Sequence, residues 1–122
     1  MHISNFNLND NRVFIIAELS ANHNGNIQTA IDTIKAAKRA GADAIKLQTY
    51  TADTITLNSR KDYFKINQGT HWDGQYLYDL YKEAALPWEW HVELFKVAKE
   101  EGLICFSSPF DFTAVDLLEE LD

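Results

Sequence analysis

A glutamate, a lysine and a pair of serines each stand where an apolar run turns polar. Glu18 follows Val13-Phe14-Ile15-Ile16-Ala17, and Lys46 lies between Ile45 and Leu47 with Gln48 behind it. Ser107 and Ser108 follow Leu103-Ile104-Cys105-Phe106 and precede Pro109 and Asp111. A charge inside an apolar strand is costly unless it is paired or faces a site. Glu18 reads as a carboxylate that binds substrate or positions a proton transfer, or as the ion-pair partner of Lys46. Strand alternation puts Lys46 on one face with Ala44 and Gln48, opposite Ile45 and Leu47. There it suits a phosphate or carboxylate as a compact point charge, or a Schiff base if desolvated. Ser107 and Ser108 read as hydroxyls at a helix start, an anion-binding arrangement, or as ordinary turn and cap chemistry.

Other polar residues carry weaker signals. His23, within Asn22-His23-Asn24-Gly25, reads as an acid or base or as a turn residue that hydrogen-bonds the backbone; a metal ligand is disfavoured, because nearby ligand partners are lacking. His91 beside Trp90 is taken as structural, and Cys105 as a buried structural thiol. Trp88 and Val92 are assigned to a buried helix face. Trp72-Asp73-Gly74, in a long polar and aromatic stretch, is harder to dismiss as packing.

These residues need elements to hold them. Residues 1–12 read as an opening segment, with a short strand capping one end of the fold. Residues 13–17 suit a strand buried on both faces. Asn26 N-caps a helix whose apolar residues Ile27, Ala30, Ile31, Ile34 and Ala37 share one face, and Gly41 stops it. Residues 44–49 form the second strand. A long connection over about 50–80 implies a functional loop or one with small elements of its own, and Gln75 to Glu83 has helical periodicity. Pro87 opens another helix that ends at Gly102. Residues 103–106 form the third strand, and Asp111 caps a last helix with Val115, Leu118 and Leu121. The order is β-α-β-loop-α-β-α, which implies parallel strands with right-handed crossovers. Ionisable and hydroxyl residues at the C-terminal strand ends are the layout of a (β/α) barrel active face.

The chain has 122 residues and a net charge of −7. That size allows one domain at most, whereas a full eight-unit barrel needs roughly 250 residues. The reading is therefore α/β: the first three β/α units of a (β/α)8 barrel, with further barrel expected beyond them. The acidic balance argues against a nucleic-acid backbone as partner. The longest apolar run is far too short for a membrane span, and the first residues do not form a signal peptide. A cytoplasmic protein is expected.

With these residues in view, the chain resembles the N-terminal barrel segment of the sialic-acid synthase family. The resemblance rests on Glu18-x-x-x-Asn22-His23-x-Gly25, then Lys46-Leu47-Gln48-Thr49, then Phe106-Ser107-Ser108-Pro109-Phe110-Asp111, in that order. Trp72-Asp73-Gly74, Leu77 to Ala84, Pro87-Trp88-Glu89-Trp90-His91 and the Ser107-Ser108 pair look most like its pseudaminic acid branch. The resemblance implies condensation of phosphoenolpyruvate with an N-acylated amino-sugar, giving a nonulosonic acid and phosphate for surface-glycan biosynthesis. The enol carbon attacks the open-chain aldehyde, water adds at the enol-ether carbon, and phosphate leaves by C–O cleavage. A divalent metal, manganese or magnesium, polarises the aldehyde; its histidine ligands are expected outside residues 1–122.

By the same resemblance, Lys46 and Ser108 contact the phosphoenolpyruvate anions, with Ser107 beside them. Glu18 faces the reacting carbons, Gln48 and Asn22 supply hydrogen bonds, and the 50–80 loop contributes to the sugar pocket. A homodimer is implied, with a C-terminal antifreeze-like domain that residues 1–122 do not include. Two other readings compete. One is a related phosphoenolpyruvate-condensing barrel acting on a sugar phosphate, with Arg60, Lys61 and Lys65 as ligands. The other is a non-catalytic α/β binding module, which would need a Gly-rich phosphate loop; only Gly25 stands in that turn. By itself the 122-residue chain is expected to be inactive and marginally stable or self-associating. An assay with phosphoenolpyruvate, amino-sugar and Mn2+ should detect no phosphate release from it, and measurable turnover would contradict the reading.

Overall fold

Three parallel strands, Ile16–Glu18, Ala44–Thr49 and Ile104–Pro109, form the sheet in that order, with Ala44–Thr49 in the centre. The computed structural model describes residues 1–9 and 11–121. Before the sheet, β1 (His2–Ile3) and β2 (Phe6–Asn7) form a small antiparallel hairpin. The opening segment is thus two short strands. Phe6 is buried and meets the Phe14 ring edge-on at 4.8 Å.

β3 (Ile16–Glu18) leads through a turn to α1 (Ile27–Arg39), and β4 (Ala44–Thr49) follows. Asn26 caps α1 as expected, its side-chain oxygen accepting the N–H of Gln28 at 2.8 Å and of Thr29 at 3.3 Å. Past the helix, Gly41 takes a φ of 90°, a conformation that costs glycine nothing. Ala30 and Ile34 are fully buried against the sheet.

The connection after β4 carries its own small elements. They are α2 (Ala52–Ile55), a 3-10 turn at Asp62–Phe64, one antiparallel bridge between Lys65 and Tyr76, and α3 (Leu77–Ala84). A second 3-10 turn, Trp88–Trp90, runs directly into α4 (His91–Glu100). β5 (Ile104–Pro109) and α5 (Phe112–Glu119) complete the described chain. Asp111 caps α5 by accepting the N–H of Thr113 at 3.1 Å.

The core lies between one sheet face and the pair α1 and α4. Leu19, Ile45, Leu47, Ala30, Ile34, Leu94, Val97 and Ala98 form one buried cluster, with Ala17 and Cys105 packed against it. Across a parallel pair, opposed residues share a face, so Ala17, Ile45 and Cys105 point to the helices. Glu18, Lys46 and Phe106 form the next row and point the other way.

Three expectations need correction. The 13–17 run is not a strand buried on both faces: the strand is Ile16–Glu18, Val13 is 79% exposed and Ile15 is 54% exposed. β3 is a sheet edge, and among the described residues nothing covers its second face. The third strand extends from Ile104 to Pro109, beyond 103–106. Proline is tolerated at the end of an edge strand, where its missing N–H interrupts no interior ladder. Finally, Val92 is exposed and Trp88 only half-buried, so they do not share the buried face of the helix. The 3-10 turn changes the angular step before α4 begins. The buried positions become His91, Leu94, Val97 and Ala98.

That phase has a measurable consequence. Leu94→Ala should lower stability by about 2–5 kcal/mol, while Val92→Ala should change it by less than about 0.5 kcal/mol. Urea unfolding midpoints compare the two, and equal losses would contradict the observed face.

Candidate functional site

The helix-free face of the sheet gathers the polar strand-end residues in rows. Glu18 stands opposite Lys46, Lys46 opposite Phe106, and Gln48 opposite Ser108. The Lys46 ammonium meets the Glu18 carboxylate at 2.5 Å. The Lys46 side chain is 27% exposed and that of Glu18 is 54% exposed. An ion pair this open to water is worth little in stability, so an incoming anion can take the lysine from its partner. Four of the six singled-out residues, Glu18, Lys46, Gln48 and Ser108, therefore share one face. The Ser108 hydroxyl has no hydrogen-bond partner among the described residues.

Ser107 is placed differently. Both serines lie within β5, not at a helix start, and strand alternation turns them to opposite faces. Ser107 stands opposite Leu47 on the helix-covered side. Its hydroxyl is 2.6 Å from the Thr49 hydroxyl. Thr49 in turn lies 2.8 Å from Nε2 of His91, and Nδ1 of His91 is 3.1 Å from the Trp88 carbonyl. Thr49 and His91 are both fully buried. Burial pushes the His91 pKa down despite the stabilising backbone contacts of Pro87 and Trp88. Sequence reasoning treated His91 as structural and did not single out Thr49. The available signal was parity, since Thr49 and Ser107 share the face of Leu47.

Asn22 belongs to the turn after β3. Its side-chain N–H donates to the Leu19 carbonyl at 3.1 Å. Ser20 and Asn24 take left-handed φ values of 49° and 50° in this turn, uncommon for residues with a Cβ. Asn22, Asn24, Trp72, His71 and Glu83 line a cavity of about 640 Å³ between this turn, the long connection and α3.

His23 is buried, with both ring nitrogens engaged. Nδ1 accepts the Gly25 N–H at 3.1 Å, and Nε2 donates to the Ala84 carbonyl at 3.2 Å. The ring packs edge-on against Trp90 at 5.6 Å. It joins the turn to the end of α3. Among the described residues, no group of three His, Cys, Asp or Glu is placed to hold a metal ion, so the donors present do not fit a divalent-metal site. Cys105 is half-buried, and desolvation pushes its thiol up to about 12, which leaves it unreactive at neutral pH.

Two acidic residues organise the long connection. Asp79 pairs through both carboxylate oxygens with Arg60, whose guanidinium also lies 4.8 Å from the Tyr76 ring centre. Asp73 accepts the backbone N–H groups of Gln68, Gly69 and Thr70 and the Thr70 hydroxyl.

A barrel segment with a cation, a carboxylate, an amide and a hydroxyl on one open sheet face is the class of protein that fold and site define. Residues 33–122 match the NeuB family, and the chain belongs to that family. It is 56% identical over its whole length to pseudaminic acid synthase of Campylobacter jejuni, covering 35% of that protein. It is 53% identical over 108 residues, 88% of this chain, to pseudaminic acid synthase of Helicobacter pylori, covering 32% of that protein. The crystal structure of N-acetylneuraminic acid (sialic acid) synthetase from Leptospira borgpetersenii superposes with a TM-score of 0.71 at 28% identity. That match covers 91% of this chain and 34% of the other. The chain thus spans about a third of the length of the curated relatives it matches.

The Asp73 loop yields a pH prediction. Hydrogen bonds from Thr70, then Gln68 and Gly69, hold the Asp73 carboxyl below its ordinary value of 3.8. A depressed folded value means that its stabilisation is complete above the unfolded value and is lost as pH falls through the folded one. The amide resonances of Gly69 and Thr70 should therefore titrate below pH 3.8. Titration at or above that value would show that the carboxylate does not organise the loop.

Proposed function

We propose that this chain supplies the phosphoenolpyruvate-binding side of a synthase that joins phosphoenolpyruvate to an N-acylated amino-sugar of the pseudaminic type. The observation that carries the reading is Lys46, held by Glu18 on the open face, one row from Gln48 and Ser108. The relatives named above are synthases of such acids.

In this reading Lys46 leaves Glu18 and takes an anionic group of phosphoenolpyruvate. Ser108 donates its hydroxyl proton to the same anion, and Gln48 orients it. Glu18, released from the ion pair, faces the reacting carbons and holds the water that adds to the phosphate-bearing carbon once the new C–C bond has formed. The new bond joins the enol carbon to the aldehyde carbon. Water then supplies the oxygen retained by the product, and phosphate leaves with the bridging oxygen. Asn22 and Trp72 present the cavity at the turn to the sugar, whose N-acyl and deoxy groups suit an aromatic wall. The divalent Mn2+ or Mg2+ implied by the reading would act as a Lewis acid on the aldehyde, and among the described residues no group is placed to hold it. The reading also carries a homodimer acting in the cytoplasm. No helix among the described residues is long and apolar enough to cross a membrane.

The test uses the complete gene product that carries residues 1–122. With phosphoenolpyruvate, an N-acylated 6-deoxy amino-sugar and Mn2+, it should release phosphate only when both substrates are present. Lys46→Ala should lower kcat/KM for phosphoenolpyruvate on the order of a hundredfold, the loss of a charge-assisted contact to an anion. A folded protein that releases no phosphate, or one indifferent to Lys46→Ala, would sink the reading.

A further inference from the structure

The chain His91–Thr49–Ser107 has only one proton arrangement when its imidazole is neutral. The Trp88 carbonyl can only accept, so Nδ1 of His91 carries the ring proton and donates at 3.1 Å. Nε2 is then an acceptor, and the Thr49 hydroxyl must donate to it at 2.8 Å. With its own proton spent, the Thr49 oxygen accepts from Ser107 at 2.6 Å. The Ser107 proton therefore points inward, towards the helices.

The location matters as much as the direction. Thr49 is the last residue of β4, and its partner in register is Pro109, which has no N–H to donate. The side-chain bond between Thr49 and Ser107 ties the two strand ends together. Gln48 and Ser108, interleaved with these residues, point to the opposite face and stand opposite each other.

We propose that His91 is a positioning residue: acting through Thr49, it draws the Ser107 proton inward, pins the ends of β4 and β5 together, and leaves Ser108 as the hydroxyl that donates to the anion at Lys46. The proposal rests on the synthase reading for the identity of that anion. The lock itself is independent of it.

Two measurements on the complete gene product test the proposal. Nitrogen-15 spectra of the histidine rings, with the His91 signals assigned through His91→Gln, should show a neutral Nδ1–H ring at pH 7. A ring protonated on Nε2 would overturn the lock whether or not the protein is a synthase. In kinetics, Thr49→Val keeps the side-chain shape but removes the middle hydroxyl. It should raise KM for phosphoenolpyruvate about tenfold, with kcat within about twofold. Thr49→Ser restores the hydroxyl and should return KM to within about twofold of the parent. A residue that only maintains the fold would lower the active fraction, so an apparent kcat loss with unchanged KM would overturn the proposal. Absence of turnover in the parent protein would count against the synthase reading, and the ring spectrum would still decide the lock.

Discussion

The period of two along β4 is the constraint on which the rest depends. Ile45, Leu47 and Thr49 face the helices, and Lys46 and Gln48 face the open side. Because β3 and β5 both pair with β4 in parallel register, this parity passes to each neighbour. A slip of one residue in either pairing would exchange the faces of an entire strand. It would place Leu19 beside Lys46 and expel Glu18 from the row. Core burial by Ile45 and Leu47 thus holds the polar row in place, although the two sets of side chains do not touch.

The helix layer then decides what happens at the strand ends. The 3-10 turn Trp88–Trp90 sets the rotation at which α4 begins, and His91 arrives under the sheet as a buried residue. A buried imidazole must satisfy both nitrogens, and it does so with Trp88 and Thr49. His23 solves the same problem under the other turn, with Gly25 and Ala84. Two buried histidines therefore tie the loops that shape the open face to the helices beneath it. Polar groups in the long connection work similarly at the surface: Asp73 gathers consecutive amides, and Asp79 holds Arg60.

Much of this was legible along the chain because it is local. Asn26 can cap only the helix that follows it, and the spacing of Ile27, Ala30 and Ile34 names that helix's buried face. The alternation around Lys46 assigned it to the face of Gln48, and the motifs around Glu18, Lys46 and Ser108 carried the resemblance to the family. The 13–17 run was less informative, because hydrophobicity reports what a residue can bury and not whether a neighbour is there to cover it. Val92 misled for another reason: a helical period extrapolated through Pro87 assumes a constant angular step, which the 3-10 turn breaks.

The sequence by itself determined the order of the main strands and helices, the parity of the central strand and the family to which the chain belongs, because each depends on side-chain type and near-neighbour spacing. Only the tertiary structure decided that Thr49 joins Ser107 to His91 and that Lys46 rests on Glu18. Those contacts connect residues 28, 42 and 58 positions apart. Their geometry is set by strand register and helix rotation, which no local pattern encodes.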